Sequence, residues 1–203
     1  MVERQLRRRG IRDERVLAAL ERVPREQFVP EDKRRQAYDD AALPIGFGQT
    51  ISQPYMVALI CELLALAGGE RVLDVGTGSG YQAAVLAELA AEVITIERVP
   101  ELAERAQAAL AAAGYTHVDV HVGDGTLGVP ECAPYAAIAV AAAAPSVPGT
   151  LYAQLEQGGR LVVPVGVGWQ RLELVVRTPE GPVVHGSVPC RFVPLVGEEG
   201  FRS

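Results

Sequence analysis

Arg71-Val72-Leu73-Asp74-Val75-Gly76-Thr77-Gly78-Ser79-Gly80 decides the fold. Its first half, Arg71 to Val75, is a short apolar run that reads as a β-strand. Its second half sets three glycines two apart, which lets the backbone turn sharply and approach a ligand. Tyr81 to Ala91 then reads as helix by propensity. Strand, glycine loop and helix in that order begin an α/β sheet. The spacing is GxGxG, not the GxGxxG of the usual dinucleotide fingerprint. Alone, such a loop is a weak signal that a tight turn can also give; the strand before it and the helix after it strengthen the reading as a ligand loop.

The alternation continues toward the C-terminus. Val93 to Ile96 is strand, closed by Glu97, and Pro100 to Ala113 is an Ala-rich helix ended by Gly114. His117 to Val122 alternates, with Val118, Val120 and Val122 on one face, and Ala137 to Val140 reads as a buried strand. Leu151 to Leu155 belongs to a helix ended by Gly158-Gly159. Leu161 to Val165 is strand, and Leu172 to Val176 with Val183 to Val188 form a late hairpin. In the other direction, Pro54 opens a helix at its first turn. Tyr38 to Gln53, rich in Gly and Pro, reads as a loop. Met1 to Glu31 is charged and largely helical, with Val16, Leu17 and Leu20 as one apolar stripe. The expectation is α/β: a doubly wound, mainly parallel sheet with helices on both faces and a helical N-terminal extension. One domain spans 1–203, with 1–53 as extension and active-site loop and 54–203 as the α/β ligand-binding core.

Composition narrows the class. The chain has 203 residues, 49% hydrophobic and 22% charged, enough apolar surface for one core. Its net charge of -6 argues against a broad nucleic-acid surface. Cys61, Cys132 and Cys190 form neither a CxxC pair nor a disulfide framework, so a reducing, cytoplasmic setting is expected. No apolar run reaches the roughly 18 residues that span a bilayer. Charged residues follow Arg4 and Arg7 to Arg9 where a signal peptide needs an apolar stretch. We expect a cytoplasmic monomer with no membrane or nucleic-acid partner. Lys33 is the only lysine and there is no asparagine, which hints at a hot environment.

Ligands of such sheets sit beyond the carboxyl ends of the strands. Glu97, at the end of the strand after the glycine loop, is placed to accept both hydroxyls of a ribose; a solvated strand-end charge is the plainer reading. Asp124, in Val122-Gly-Asp-Gly125, ends the third strand and could read an adenine edge, or be an ordinary Asp-Gly turn. Three such features on three consecutive strand ends suggest a nucleoside. Asp74 would repel a pyrophosphate and favours a cationic or zwitterionic ligand, such as S-adenosylmethionine.

The glycine loop with Glu97 and Asp124 resembles the class I methyltransferases. The flanking segments are similar to one family among them, the protein-L-isoaspartate O-methyltransferases, which start the repair of isomerised aspartyl residues. The resemblance runs through Arg9 to Val16 and Val23-Pro-Arg-Glu-Gln-Phe-Val-Pro30. It is strongest at Ala42-Leu-Pro-Ile-Gly-Phe-Gly-Gln-Thr-Ile-Ser-Gln-Pro-Tyr-Met56 and returns at Arg191-Phe-Val-Pro-Leu195. It implies that Ser52 is the active-site serine and that Thr50 and Ile51 line the same site. It implies that Gly76, Thr77, Gly78, Ser79, Gly80, Glu97, Asp124 and Gly125, with Asp74, carry S-adenosylmethionine, and that Gln170 lies near it. It implies that Val193 offers backbone groups to a peptide substrate. Ala136 stands where the family usually has Asp, and the lost carboxylate is expected to have capped a turn or steadied the floor of the cofactor site.

The chemistry is consistent with these residue types. A carboxylate with a pKa near 4 is already ionised at neutral pH and needs no general base to accept a methyl group. A neutral hydroxyl such as Ser52 can hold it without blunting it; the same serine could also cap the helix at Pro54. Other features count for less. His117, Asp119 and His121 share a strand face but lack a metal-binding motif, so no metal is expected. Pro189-Cys190 resembles a cytosine-methyltransferase nucleophile without further support. Arg7 to Arg9 reads as a solvated face, and Trp169 as a packing residue or pocket wall. The rival readings are a small-molecule or RNA methyltransferase and an idle protein that keeps the fold.

Overall fold

Side chains in a strand alternate between faces, so each buried strand must feed two cores. The computed structural model, which describes residues 1–202 and gives Ser187 by its backbone alone, shows how this chain does so. Ser203, at the end of the expected domain, lies outside the described residues.

The chain begins with short helical turns at Val2–Leu6 and Arg7–Arg9, then α1 (Glu14–Arg22). The Asp13 side chain caps α1 by accepting the Arg15 and Val16 N–H groups. Short 3-10 turns follow at Arg25–Phe28 and Glu31–Gln36. Leu43–Gly46 (β1) and Gln49–Ile51 (β2) pair as an antiparallel hairpin where the sequence reads as loop. Gly46, Phe47 and Gly48 make its tip, all with positive φ. The hairpin hides from pattern reading because Pro44 and Gly46 interrupt its first strand and its second is only three residues long.

The core starts at α2 (Pro54–Leu64) and continues with β3 (Arg71–Val75), α3 (Tyr81–Ala87), β4 (Glu92–Glu97), α4 (Pro100–Ala112), β5 (Asp119–Val122) and β6 (Tyr135–Val140). It ends with α5 (Gly149–Ala153), β7 (Leu155–Val165), β8 (Gln170–Thr178) and β9 (Gly181–Cys190). The main sheet has the order β5-β4-β3-β6-β7-β8-β9. β3 to β7 run parallel, and β8 and β9 return antiparallel. Leu155, expected at the end of a helix, instead opens β7, because α5 stops at Ala153 and Leu155 pairs with Tyr135.

Val72, Val93, Ala137 and Ala139 join one apolar cluster with α1 to α4 and the N-terminal turns. Leu73, Val75, Ile94, Ile138 and Val140 join another, closed by α5 and Leu195. Residues before 54 therefore share a core cluster with the sheet. Two members of the arginine run, at the surface, make intramolecular ion pairs. Arg7 pairs with Glu3 and Glu14, and Arg9 pairs with Asp40 while lying 3.5 Å over the Tyr55 ring.

Candidate active site

Parallel strands aim their carboxyl ends at one edge, and the strand order reverses between β3 and β6. A cavity with about 840 Å³ of free space, part of it the open mouth, sits at that edge. Gly76, Thr77, Gly78 and Ser79 wall it on one side, and Glu97, Arg98 and Val99 on the next. Gly125, Ala141 and Ala142 supply further strand ends. Thr50, Ile51 and Ser52, from the end of β2, face Val193 to Val196 across it. Ten residues expected at the site thus share one chamber.

The glycines have identifiable causes. Gly76 has φ 93°, and a Cβ there would touch Ala141 at 3.6 Å. Gly125 is tighter: a Cβ would fall 2.8 Å from Val75 Cγ1. Gly80 does not line the cavity. Its φ is 87°, and a Cβ there would meet Leu110 at 3.1 Å, so it lets α3 close on α4.

Glu97 is 7% exposed and lines the cavity. Its Oε2 accepts the Gly78 N–H at 2.8 Å and its Oε1 the Val99 N–H at 3.0 Å. This fixes the carboxylate and leaves each oxygen a lone pair for a diol. Asp74 lies one layer behind. Its carboxylate is fully buried, accepting Gln82 Nε2 at 2.8 Å and Thr95 Oγ1 at 2.9 Å. Burial pushes its pKa up to about 7, against those hydrogen bonds, which favour the charged form. Thr95 in turn meets Thr77 Oγ1 at 2.7 Å. Asp74 therefore orients Gln82 and Thr77, both of which line the cavity. Gln82 Oε1, left buried without a hydrogen-bond partner, is an acceptor suited to a cationic group.

Asp124 is also tied down. Its Oδ1 accepts the Thr126 N–H and hydroxyl, and its Oδ2 the Glu198 N–H at 2.7 Å. Burial alone would raise its pKa, but these hydrogen bonds outweigh it and hold the pKa low. Gln170 exchanges two hydrogen bonds with the Phe192 backbone, so it anchors the stretch leading to Val193 and does not reach the cavity.

Several expectations need correction. Trp169 packs against nothing; it is 93% exposed at the turn between β7 and β8. Ala136 is at the start of β6, at a bulge against β7, while the cavity touches Ala141 and Ala142 beyond the other end. A carboxylate there would not steady the cavity floor. Cys190, for which the sequence offers no support as a nucleophile, is half-buried, and burial raises its pKa to about 11. Tyr81, Gln82 and Arg98 line the cavity and were not singled out. Their position directly after Gly80 and Glu97 was the available signal. Asp119 and His121, both on β5, hydrogen-bond each other at 2.8 Å near Cys132, and none of the three lines the cavity.

Sheet order, glycine loop and an acidic strand tip define a nucleoside-binding methyltransferase of the α/β class. The profile of the protein-L-isoaspartate(D-aspartate) O-methyltransferase family matches residues 1–200. The chain belongs to that family. It is 59% identical over 99% of its length to protein-L-isoaspartate O-methyltransferase 2 of Marinobacter nauticus, covering 93% of that protein. It is 56% identical over its full length to protein-L-isoaspartate O-methyltransferase 1 of Rhodopseudomonas palustris, covering 84% of it. A solved protein-L-isoaspartate O-methyltransferase superposes with a TM-score of 0.88 at 31% identity, over 96% of this chain and 65% of that longer one. A relative from Plasmodium falciparum, solved with S-adenosyl-L-homocysteine, superposes with a TM-score of 0.83 at 26% identity over 94% of each chain. The activity that follows is S-adenosylmethionine-dependent methylation of isoaspartyl residues. No helix among the described residues is long and apolar enough to cross a membrane.

Proposed function

We propose that the chamber is divided between a donor side and an acceptor side, each built by its own segments. Gly76 to Ser79, Glu97 and Gly125 hold S-adenosylmethionine, with Asp74 and Asp124 setting their positions from behind. Thr50, Ile51 and Ser52 receive the free α-carboxylate of an L-isoaspartyl residue. Val193 meets the substrate backbone. Its carbonyl already accepts the Ala143 N–H at 2.8 Å, so its own N–H is the group left to offer. One observation carries this reading: segments as distant as Thr50 to Ser52, Gly76 to Ser79 and Val193 to Val196 line a single cavity.

When bound, S-adenosylmethionine supplies an electrophilic methyl group on a sulfonium. The protein's part is positioning and exclusion of water. Glu97 fixes the ribose end through its rigid carboxylate. Gln82 Oε1 and the surrounding acids suit the donor's cationic groups. The Ser52 hydroxyl donates to one acceptor oxygen and takes no proton, since the carboxylate arrives ionised. An isoaspartyl residue carries one extra backbone methylene and a free α-carboxylate. Main-chain contacts test that geometry while tolerating many sequences. The methyl ester then favours succinimide formation and partial return to aspartate.

Paired peptides differing only in isoaspartyl or aspartyl linkage test the reading. Methyl incorporation is expected into the first and none into the second; equal incorporation refutes it. The three cysteines are unpaired, which supports a reducing cytoplasm.

A further inference from the structure

The fold buries one guanidinium completely, and the mechanism above does not use it. Arg25 is 0% exposed and is the largest fully buried side chain. Its Nε donates to the Ala37 carbonyl at 2.7 Å, and its Nη2 to the Ser52 carbonyl at 2.7 Å. Its Nη1 and the buried Tyr81 hydroxyl make no well-aligned hydrogen bond, but the two side chains lie close enough to interact with each other. The guanidinium lies 4.6 Å from the centroid of the Tyr81 ring, which Phe28 contacts edge-on at 5.8 Å. Among the described residues no carboxylate makes an ion pair with it. Asp40, an acid whose charge reaches it, is already bound by Arg9 and Gln53.

Burying an unpaired charge costs several kcal/mol even after relaxation. Hydrogen bonds to two carbonyls offset part of that, but an apolar side chain would avoid the cost altogether. Burial lowers the Arg25 pKa from a value so high that the group stays charged. The location gives the charge a use. Ser52 and Tyr81, two of the groups it touches, both line the cavity. Holding the Ser52 carbonyl from behind fixes the peptide plane at that residue and so the direction of its hydroxyl. A fixed positive charge in a low-dielectric wall also favours an anion in the chamber. Being one layer back, it attracts the acceptor without a direct contact that would weaken its nucleophilicity.

We propose that Arg25 is a positioning residue for the acceptor side: it locks the Ser52 turn and draws the substrate carboxylate into the chamber. The proposal rests on the role given to Ser52, and the test separates the two. Arg25→Met and Arg25→Lys are compared with wild type and Ser52→Ala by kcat and KM for an isoaspartyl peptide, donor affinity by calorimetry, and thermal melting. For Arg25→Met we expect KM to rise at least tenfold and kcat to fall, with donor affinity within twofold of wild type. Arg25→Lys keeps the charge but not the fork, so KM recovers while kcat stays low. In the double variant Arg25→Met/Ser52→Ala, the kcat loss is expected to be less than the product of the single losses. A normal KM in Arg25→Met, or losses that multiply fully, overturns the proposal. Loss of donor affinity in step with activity in both Arg25 variants overturns it too, since that is a general structural role. If Arg25→Met does not fold, Arg25→Lys decides alone: low kcat with intact donor affinity supports the proposal, and wild-type kcat overturns it. Full activity in Ser52→Ala instead removes the serine reading.

Discussion

A hydroxyl and a carboxylate divide the chemistry of the chamber. In the proposed reading Ser52 contributes one neutral hydrogen bond to a charged acceptor, an interaction of about 1.5–3 kcal/mol. Ser52→Ala is therefore expected to lower kcat/KM for an isoaspartyl peptide about tenfold to a hundredfold and to leave donor affinity within twofold. Steady-state kinetics beside calorimetry checks both. Glu97 has the opposite profile. Its two oxygens are fixed by Gly78 and Val99, so the carboxylate is preorganised for a diol. Glu97→Gln keeps the shape but loses the charge and one acceptor. Donor affinity should fall by about tenfold or more, while turnover at saturating donor changes less. An unchanged dissociation constant would remove Glu97 from the donor site.

At the scale of elements, the central β-α units were legible because they obey their periodicities. Arg71–Val75, Glu92–Glu97 and Tyr135–Val140 carry apolar residues on both faces, as strands covered on both sides must. What escaped was the structure that local pattern does not encode. The β1–β2 hairpin has a proline in one strand and a tip where Phe47 adopts φ 52°, a left-handed conformation no propensity predicts for an aromatic residue. Tyr81 and Gln82 looked like ordinary helix yet face the ligand chamber. Asp74 and Asp124 read as ligand contacts; that their carboxylates are also engaged by Gln82, Thr95, Thr126 and Glu198 is fixed by the tertiary fold and by no local pattern. Gly80 makes the packing of α3 on α4 testable. Gly80→Val adds a side chain at φ 87° against Leu110 and Ala106, and strain plus overpacking should cost at least about 2 kcal/mol of unfolding free energy. Gly114→Ala is the control: its φ is 90° but nothing lies within 4 Å, so about 1 kcal/mol is expected. Denaturant titration of both separates the steric part from the conformational part.

For the molecule as a whole, Asp74 links stability to pH. Its pKa rises from 3.8 in the unfolded chain to about 7 in the fold. Below about pH 4 both states hold the proton and the fold bears no penalty. As pH rises toward 7 the unfolded chain releases the proton first, so the stability due to neutral Asp74 fades and is gone above the folded pKa. Carboxylates with lowered pKa, Asp124 and Glu199 among them, act at lower pH and in the other direction. The difference between wild type and Asp74→Asn isolates the first effect. The melting temperature of the variant minus that of wild type should increase from about pH 4 to about pH 7 and level off above, and a constant difference across that range would contradict the shifted pKa.

Asp124 is followed by Gly125, the only Asp-Gly step in the chain, and asparagine is absent altogether. These are the places where a polypeptide ages fastest, because the nitrogen of a following glycine is unhindered in attacking the side-chain carboxyl. Here that attack requires Asp124 to abandon Thr126 and Glu198, which hold both its oxygens. The enzyme thus has few sites for the damage it mends in others, and its most vulnerable bond is clamped shut by its own fold.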